Sequence, residues 1–116
     1  MVKTFERLAN AVAESNRGFV HVEGRIIFES PIAVDSGRTV LLVSENATLD
    51  GNQELQLFWV FGNLTLHGLT LARGYDYRYG GALWVDSLGK VVLVSCVVRD
   101  NKCGYEVSRG KGLVCV

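Results

Sequence analysis

Hydrophobic positions recur with a helical period at the start of the chain and with a strand period afterwards. Phe5, Leu8, Ala9, Val12 and Ala13 fall at i, i+3, i+4, i+7 and i+8, which makes one apolar stripe on a helix. Glu6, Arg7, Asn10 and Glu14 face the other way. Thr4 is placed to cap the start, and Asn16 and Gly18 supply the stop. The polar face mixes charges and is not rich in Lys or Arg, so it suits a helix packed on a core rather than one lying in a membrane interface. After Gly18 the apolar runs are short. Phe19–Val22, Ile26–Phe28, Ile32–Val34 and Thr39–Val43 are β-branched or apolar, bounded by Gly, Pro, Asn or Ser, and read as strands.

A repeat decides how these strands are arranged. Gly62 to Gly74 lies over Gly89 to Asn101 at a constant offset of 27 (89 − 62). Trp59 and Trp84 align at an offset of 25 (84 − 59), because Asp86-Ser87-Leu88 takes the place of the single Phe61. An earlier stretch, Ser36-Gly37-Arg38-Thr39 to Leu49-Asp50-Gly51, repeats the theme less faithfully. A period in the twenties with short strands in each period indicates a solenoid coil.

Alternation within the coil assigns the faces. Leu64, Leu66, Leu69 and Leu71 share one side, with Val91, Leu93, Cys96 and Val98 in register above them. The spacing changes from two to three at His67-Gly68 and Val94-Ser95, which marks a corner. These residues should form inward ladders with coils about 4.8 Å apart, leaving Thr65, Thr70, Val92 and Val97 outside. Thr65 and Thr70 face valines in the next coil, so the regular outward Thr ladder of an ice-binding solenoid is absent.

The expected fold is therefore all-β: a right-handed parallel β-helix with an N-terminal amphipathic helix cap. Residues 1–18 form the cap and residues 19–116 the coils, within a single domain of 116 residues. Gly110–Val116 matches Tyr79–Val85 and reads as the start of a further coil, so the chain is expected to be truncated at its C-terminal end. Hydrophobic residues make up 48% and the formal net charge is zero, so no basic excess points to nucleic acid. No apolar run approaches the roughly 20 residues of a membrane span, and no apolar signal segment opens the chain.

At this point the chain resembles a family. Thr4–Leu8, Phe19–Gly24, Pro31-Ile32 and Ala47–Asn52 look like the N-terminal cap and first coils of pectin-lyase-like β-helix proteins. Gly80-Gly81-Ala82-Leu83, followed by Val97–Asn101, resembles the Gly-Gly-Ala-Ile plus Phe-x-x-Asn repeat of polymorphic outer-membrane proteins, with Leu83 for Ile and Val98 for Phe. The resemblance implies a fold and an extracellular or cell-surface setting. It does not imply one chemistry, because adhesins, lyases, epimerases and hydrolases share this scaffold.

Candidate binding residues fall in two groups. Arg73 lies over Asp100 at the ends of equivalent strands, and Asp50 sits near that column with an alignment ambiguous by one residue. Asp86 aligns with Asp35 at another corner. A carboxylate and a guanidinium one rung apart could hold a uronate. They could equally form a surface ion pair or cap turns, where Asp and Asn are default residues. The second group is the loop Tyr75-Asp76-Tyr77-Arg78-Tyr79 beside Trp59 and Trp84. Tyr75, Tyr77, Tyr79 and the tryptophans would make a sugar-binding platform if they face outward, and plain packing if they face inward. Counting from Val60 and Val85 leaves both open.

Other features add little chemistry. Cys96 falls in the inward ladder as a small hydrophobe. Cys103 lies in a loop, and an oxidising compartment would allow it to pair with Cys115. His21 and His67 have no metal-ligand partner set. Asn46-Ala47-Thr48 and Asn63-Leu64-Thr65 are glycosylation acceptors, at Asn46 and Asn63.

The functional expectation is a non-catalytic surface or secreted scaffold that binds a polysaccharide or a surface protein and needs no cofactor. The alternative is a fragment of a polysaccharide lyase, epimerase or glycoside hydrolase acting on an acidic polysaccharide. Only that reading would call for Ca2+.

Overall fold

The computed structural model describes residues 1–14, 19–76 and 81–103 of the chain. After a helix, α1 (Phe5–Glu14), come β1 (Val20–His21), β2 (Arg25–Ile27), β3 (Ile32–Val34), β4 (Thr39–Val43) and β5 (Thr48–Asp50). They are followed by β6 (Phe58–Val60), β7 (Asn63–His67), β8 (Thr70–Ala72) and β9 (Tyr75–Asp76). The described strands end with β10 (Leu83–Val85), β11 (Lys90–Val94), β12 (Val97–Arg99) and β13 (Lys102–Cys103).

Each strand pairs in parallel with its counterpart one coil away, never with its sequence neighbour. The sheets run β1-β4-β7-β11, β3-β6-β10 and β2-β5-β8-β12, with a short β9-β13 ribbon at one corner. The chain is thus a parallel β-solenoid of about three turns. The registers match those read from the repeat: Leu64 pairs with Val91, Leu66 with Leu93, Trp59 with Trp84 and Ala72 with Arg99.

The core is the set of inward ladders. Val40, Leu64 and Val91 form one, and Leu42 and Leu66 another, continued in register by Leu93, which the last described coil leaves 39% exposed. Ile26, Leu49, Leu71 and Val98 form a third on the adjacent sheet. Leu64, Leu66, Leu69 and Leu71 are all buried. The expected corners also form, because Gly68 and Ser95 both take left-handed backbone conformations (φ 75° and 53°) that turn the strand onto the next face.

Helix α1 covers the first coil. The Thr4 hydroxyl accepts from the Arg7 N–H at 3.3 Å, as expected of its cap. Near the other end the Arg38 guanidinium donates to the Val12 carbonyl at 2.7 Å, satisfying one of the acceptors a helix end leaves open. Leu8 and Val12 are buried, and Phe5 meets Phe28 edge-on at 5.2 Å, which in turn meets Phe58 at 5.6 Å.

Four details depart from the expectation. Ala13 is exposed, and Ala11 packs on the core in its place. Phe19 stands outside β1 with 63% of its surface exposed. Phe28 follows β2 rather than ending it, since it serves the aromatic row under the helix. Cys103 belongs to β13, not to a loop, because the chain after Arg99 pairs again with the segment after Ala72. The helix stop at Asn16 and Gly18, the Gly80 position of the repeat, Tyr77, Tyr79, Cys115 and the coil start at Gly110–Val116 lie outside the described residues.

Candidate functional site

The structure separates the candidate residues into two neighbouring places. The first is the outer face of the β3-β6-β10 sheet. Strand β6 buries Phe58 and Val60 and turns Trp59 outward, 42% exposed. Trp84 is its register partner and shares the outer face, with Ala33 one coil below. The tryptophans, whose face the sequence left open, thus point outward. The Trp59 indole N–H donates to the Gln56 side-chain oxygen at 2.7 Å, and Trp84 meets Phe61 edge-on at 5.4 Å. Each ring is therefore anchored by a neighbour and not held by the core.

The second place is the corner where β5, β8 and β12 end. By register, Ile27, Asp50, Ala72 and Arg99 form an outward column. Asp50 is nonetheless fully buried, because polar groups close over it. Its carboxylate receives the Arg25 guanidinium, the Arg73 guanidinium at 3.3 Å, and the Asn52 backbone N–H at 2.7 Å. Arg73 also donates to the Asn52 side-chain oxygen at 3.4 Å. Arg73 does follow the strand position equivalent to that before Asp100, as the repeat indicated. It reaches to Asp50 instead, while Asp100 takes Arg99 at 2.8 Å. Arg73 thus pairs across coils with Asp50 rather than with Asp100.

The backbone at this corner is unusual. Asn52, Gln53, Arg73 and Asp100 all have positive φ, between 56° and 60°. Asn101 ties two coils together, its side-chain oxygen accepting from the Gly74 N–H at 2.6 Å and its amide donating to the Leu71 carbonyl at 3.1 Å. Gly74 must be glycine here, since a Cβ would strike the Gly81 carbonyl of the following segment. The close approach leaves a hollow of about 250 Å³ lined by Gln53, Gly74, Tyr75, Asp100 and Lys102.

The two places communicate through a short segment. Gln53 lines the hollow, Leu55 accepts from the Tyr75 N–H at 2.7 Å, and Gln56 holds Trp59. Gln53, Gln56, Arg25 and Lys102 were not singled out from the sequence. Lys102 had one faint signal, its position just after the Asp100-Asn101 end of the repeat. Gln53 and Arg25 had none, because neither repeats at a fixed offset.

The remaining candidates lie at other turns and faces of the coils. The backbone carbonyls of Asp35 and Asp86 close turns, accepting from Arg38 at 3.1 Å and Gly89 at 2.8 Å. The half-buried Cys96 thiol donates to the Leu66 carbonyl at 3.3 Å. Both glycosylation acceptors, Asn46 and Asn63, are exposed. Asn63 borders a shallow hollow of about 220 Å³ with Thr39, Thr65 and Lys90 on the outer face of the β4-β7-β11 sheet. Among the described residues, no group of three or more His, Cys, Asp or Glu side chains is placed to hold a metal ion, and no helix is long and apolar enough to cross a membrane. Comparison of the chain with known protein families, with curated proteins and with solved structures found no match.

Proposed function

We propose that this chain is a non-catalytic binding scaffold, of the surface or secreted kind, whose outer aromatic face holds a carbohydrate. The observation that carries the reading is the outward placement of Trp59 and Trp84 on adjacent strands of one sheet. Anchored rings with an exposed face suit the apolar faces of sugar rings, and nearby polar groups then fix orientation. Rings already fixed by Gln56 and Phe61 lose little freedom on binding.

The carboxylates favour a scaffold over a lyase or hydrolase. Asp50 and Asp100 are the pair that acid–base chemistry would need, and each is engaged by arginine. A carboxylate held by two guanidinium groups is a poor proton shuttle. The pectin-lyase-like and outer-membrane-repeat resemblances fit the same reading. The Asn of the repeat, Asn101, holds coils together rather than facing a ligand.

Trp59 and Trp84 are the only tryptophans, so their fluorescence reports on this face alone. Titration with pectic and alginate oligosaccharides, with and without Ca2+, should give a saturable change that Trp59→Ala removes. A calcium-dependent response would bring the enzyme reading forward. A flat response in folded protein would overturn the carbohydrate reading and direct attention to protein partners.

A further inference from the structure

Strand β11 loses the outward polar residues of the coil beneath it. Asn63, Thr65 and His67 point outward on β7, and their register partners are Lys90, Val92 and Val94. Around the corner, Thr70 on β8 pairs with Val97 on β12. Three polar positions thus become valine, and all three valines are exposed. From Val91 to Val98 the chain carries no charge, glycine or proline. A near-continuous apolar run belongs to a parallel strand that is covered, not to one that faces water.

The inner side of the same coil is open as well. Val91, Leu93 and Val98 are the register partners of Leu64, Leu66 and Leu71, which are all buried. Leu93 nonetheless stands exposed, and Val91 and Val98 are half-buried. Among the described residues, β11 and β12 lie at the edges of their sheets. An edge strand presents a row of backbone donors and acceptors to a further strand. The opposite end of the solenoid differs. There Val2 bridges Val22 in parallel, and α1 buries Leu8 and Val12 against the first coil.

We propose that this open rung docks a second copy of the chain, with β11 pairing antiparallel to its counterpart across a two-fold axis. The chemistry of the run selects its own kind: an uncharged, β-branched segment without proline pairs readily with an identical one. Twelve basic residues against twelve acidic ones leave no net repulsion between copies. The two ends of the solenoid are not complementary, since α1 closes one of them, so only like ends meet. Such a contact uses the same patch on both copies and closes at two. Across it the valines at 92 and 94 form cross-strand pairs on the outer face, and Leu93 is covered on the inner one.

Sedimentation velocity over a concentration series tests this. The wild type should pass from one chain mass to two and no further, and its melting temperature should rise with concentration. Val92→Lys combined with Val94→Lys sets like charges face to face and should weaken the dimer by at least about tenfold. Both side chains point outward and are exposed, so the fold should hold, as circular dichroism would verify. Val92→Asp combined with Val94→Asp should behave in the same way. Mixing the lysine and aspartate variants should restore the mass of two chains. Ile27→Lys, at an exposed position on β2 in the first coil, should dimerise like the wild type. A wild type that stays monomeric at every concentration, or that grows past two copies, overturns the proposal. So does a lysine variant that dimerises like the wild type, a mixture that stays monomeric, or a dimer lost in Ile27→Lys.

Discussion

Trp84 stands one coil above Trp59 as its register partner, yet the two rings take different anchors. Trp59 leans back to Gln56, three residues before it, while Trp84 packs against Phe61, which follows the strand below. Parallel strands place equivalent residues about 4.8 Å apart. Separate anchors fix each ring without relying on the other.

The two tryptophans should differ in their contribution to stability. Trp59 is 42% exposed, and its Nε1 bond is the contact it would lose. Trp59→Ala should cost about 1 kcal/mol. Trp84→Ala removes a more buried ring and an aromatic pair worth about 0.5–1.5 kcal/mol beyond its area, so it should cost roughly twice as much. Urea denaturation of the two variants gives the comparison, and equal midpoints would contradict the assigned contacts.

Asp50 is where the outer surface depends on charge. Its carboxylate is fully buried, but Arg25 and Arg73 keep 50% and 36% of their side chains exposed. Removing one member of a fully buried ion pair costs about 3–5 kcal/mol, and partial exposure of the arginines lowers this to about 2–4 kcal/mol for Asp50→Ala. Asp50→Asn keeps an oxygen to accept the Asn52 N–H and should lose about half as much. Thermal melts of both variants test the order, and the alanine variant should be the weaker.

The coil was legible because its cause is periodic. Leu64, Leu66, Leu69 and Leu71 repeat at one offset with Val91, Leu93, Cys96 and Val98, since each coil must bury the same face against the next. The earlier coil was blurred because its loops differ in length. Thr39 pairs with Asn63 at an offset of 24 (63 − 39), but Thr48 pairs with Thr70 at 22 (70 − 48) and Ile32 with Phe58 at 26 (58 − 32). The outward Trp59 and Trp84 were visible as a pair but not as a face, because the apolar residues around them do not show which side is wet. The Arg25–Asp50–Arg73 cluster was hidden for a different reason. Long side chains cross between coils, so Arg73 meets Asp50 although Ala72 is the register partner of Asp50.

Gly68 tests the corner. Its φ is +75°, and a Cβ there would run into the Ser44 carbonyl of the coil below. Gly68→Ala should therefore cost about 2–4 kcal/mol, from the strained backbone and from a clash with main-chain atoms that cannot turn away. Ser95 holds the same left-handed conformation one coil higher and already carries a side chain. Ser95→Gly should change stability by less than about 1 kcal/mol. A Gly68→Ala protein that melts like the wild type would place the corner elsewhere.

The inward ladder should fail from the middle. Leu69 is 1% exposed, and Leu69→Asp would bury a carboxylate among leucines with no partner. The loss should exceed about 4–5 kcal/mol, enough to unfold a domain of ordinary stability. Leu66 and Leu93 sharpen the comparison because they are register partners with one chemistry and different burial, 0% against 39%. Leu66→Asp should leave no cooperative melt in circular dichroism. Leu93→Asp keeps its charge within reach of water and should melt cooperatively at a lower temperature. If Leu69→Asp or Leu66→Asp melts like the wild type, the alternation that orients every coil is wrong by one residue, and the face given to Trp59 and Trp84 is wrong with it.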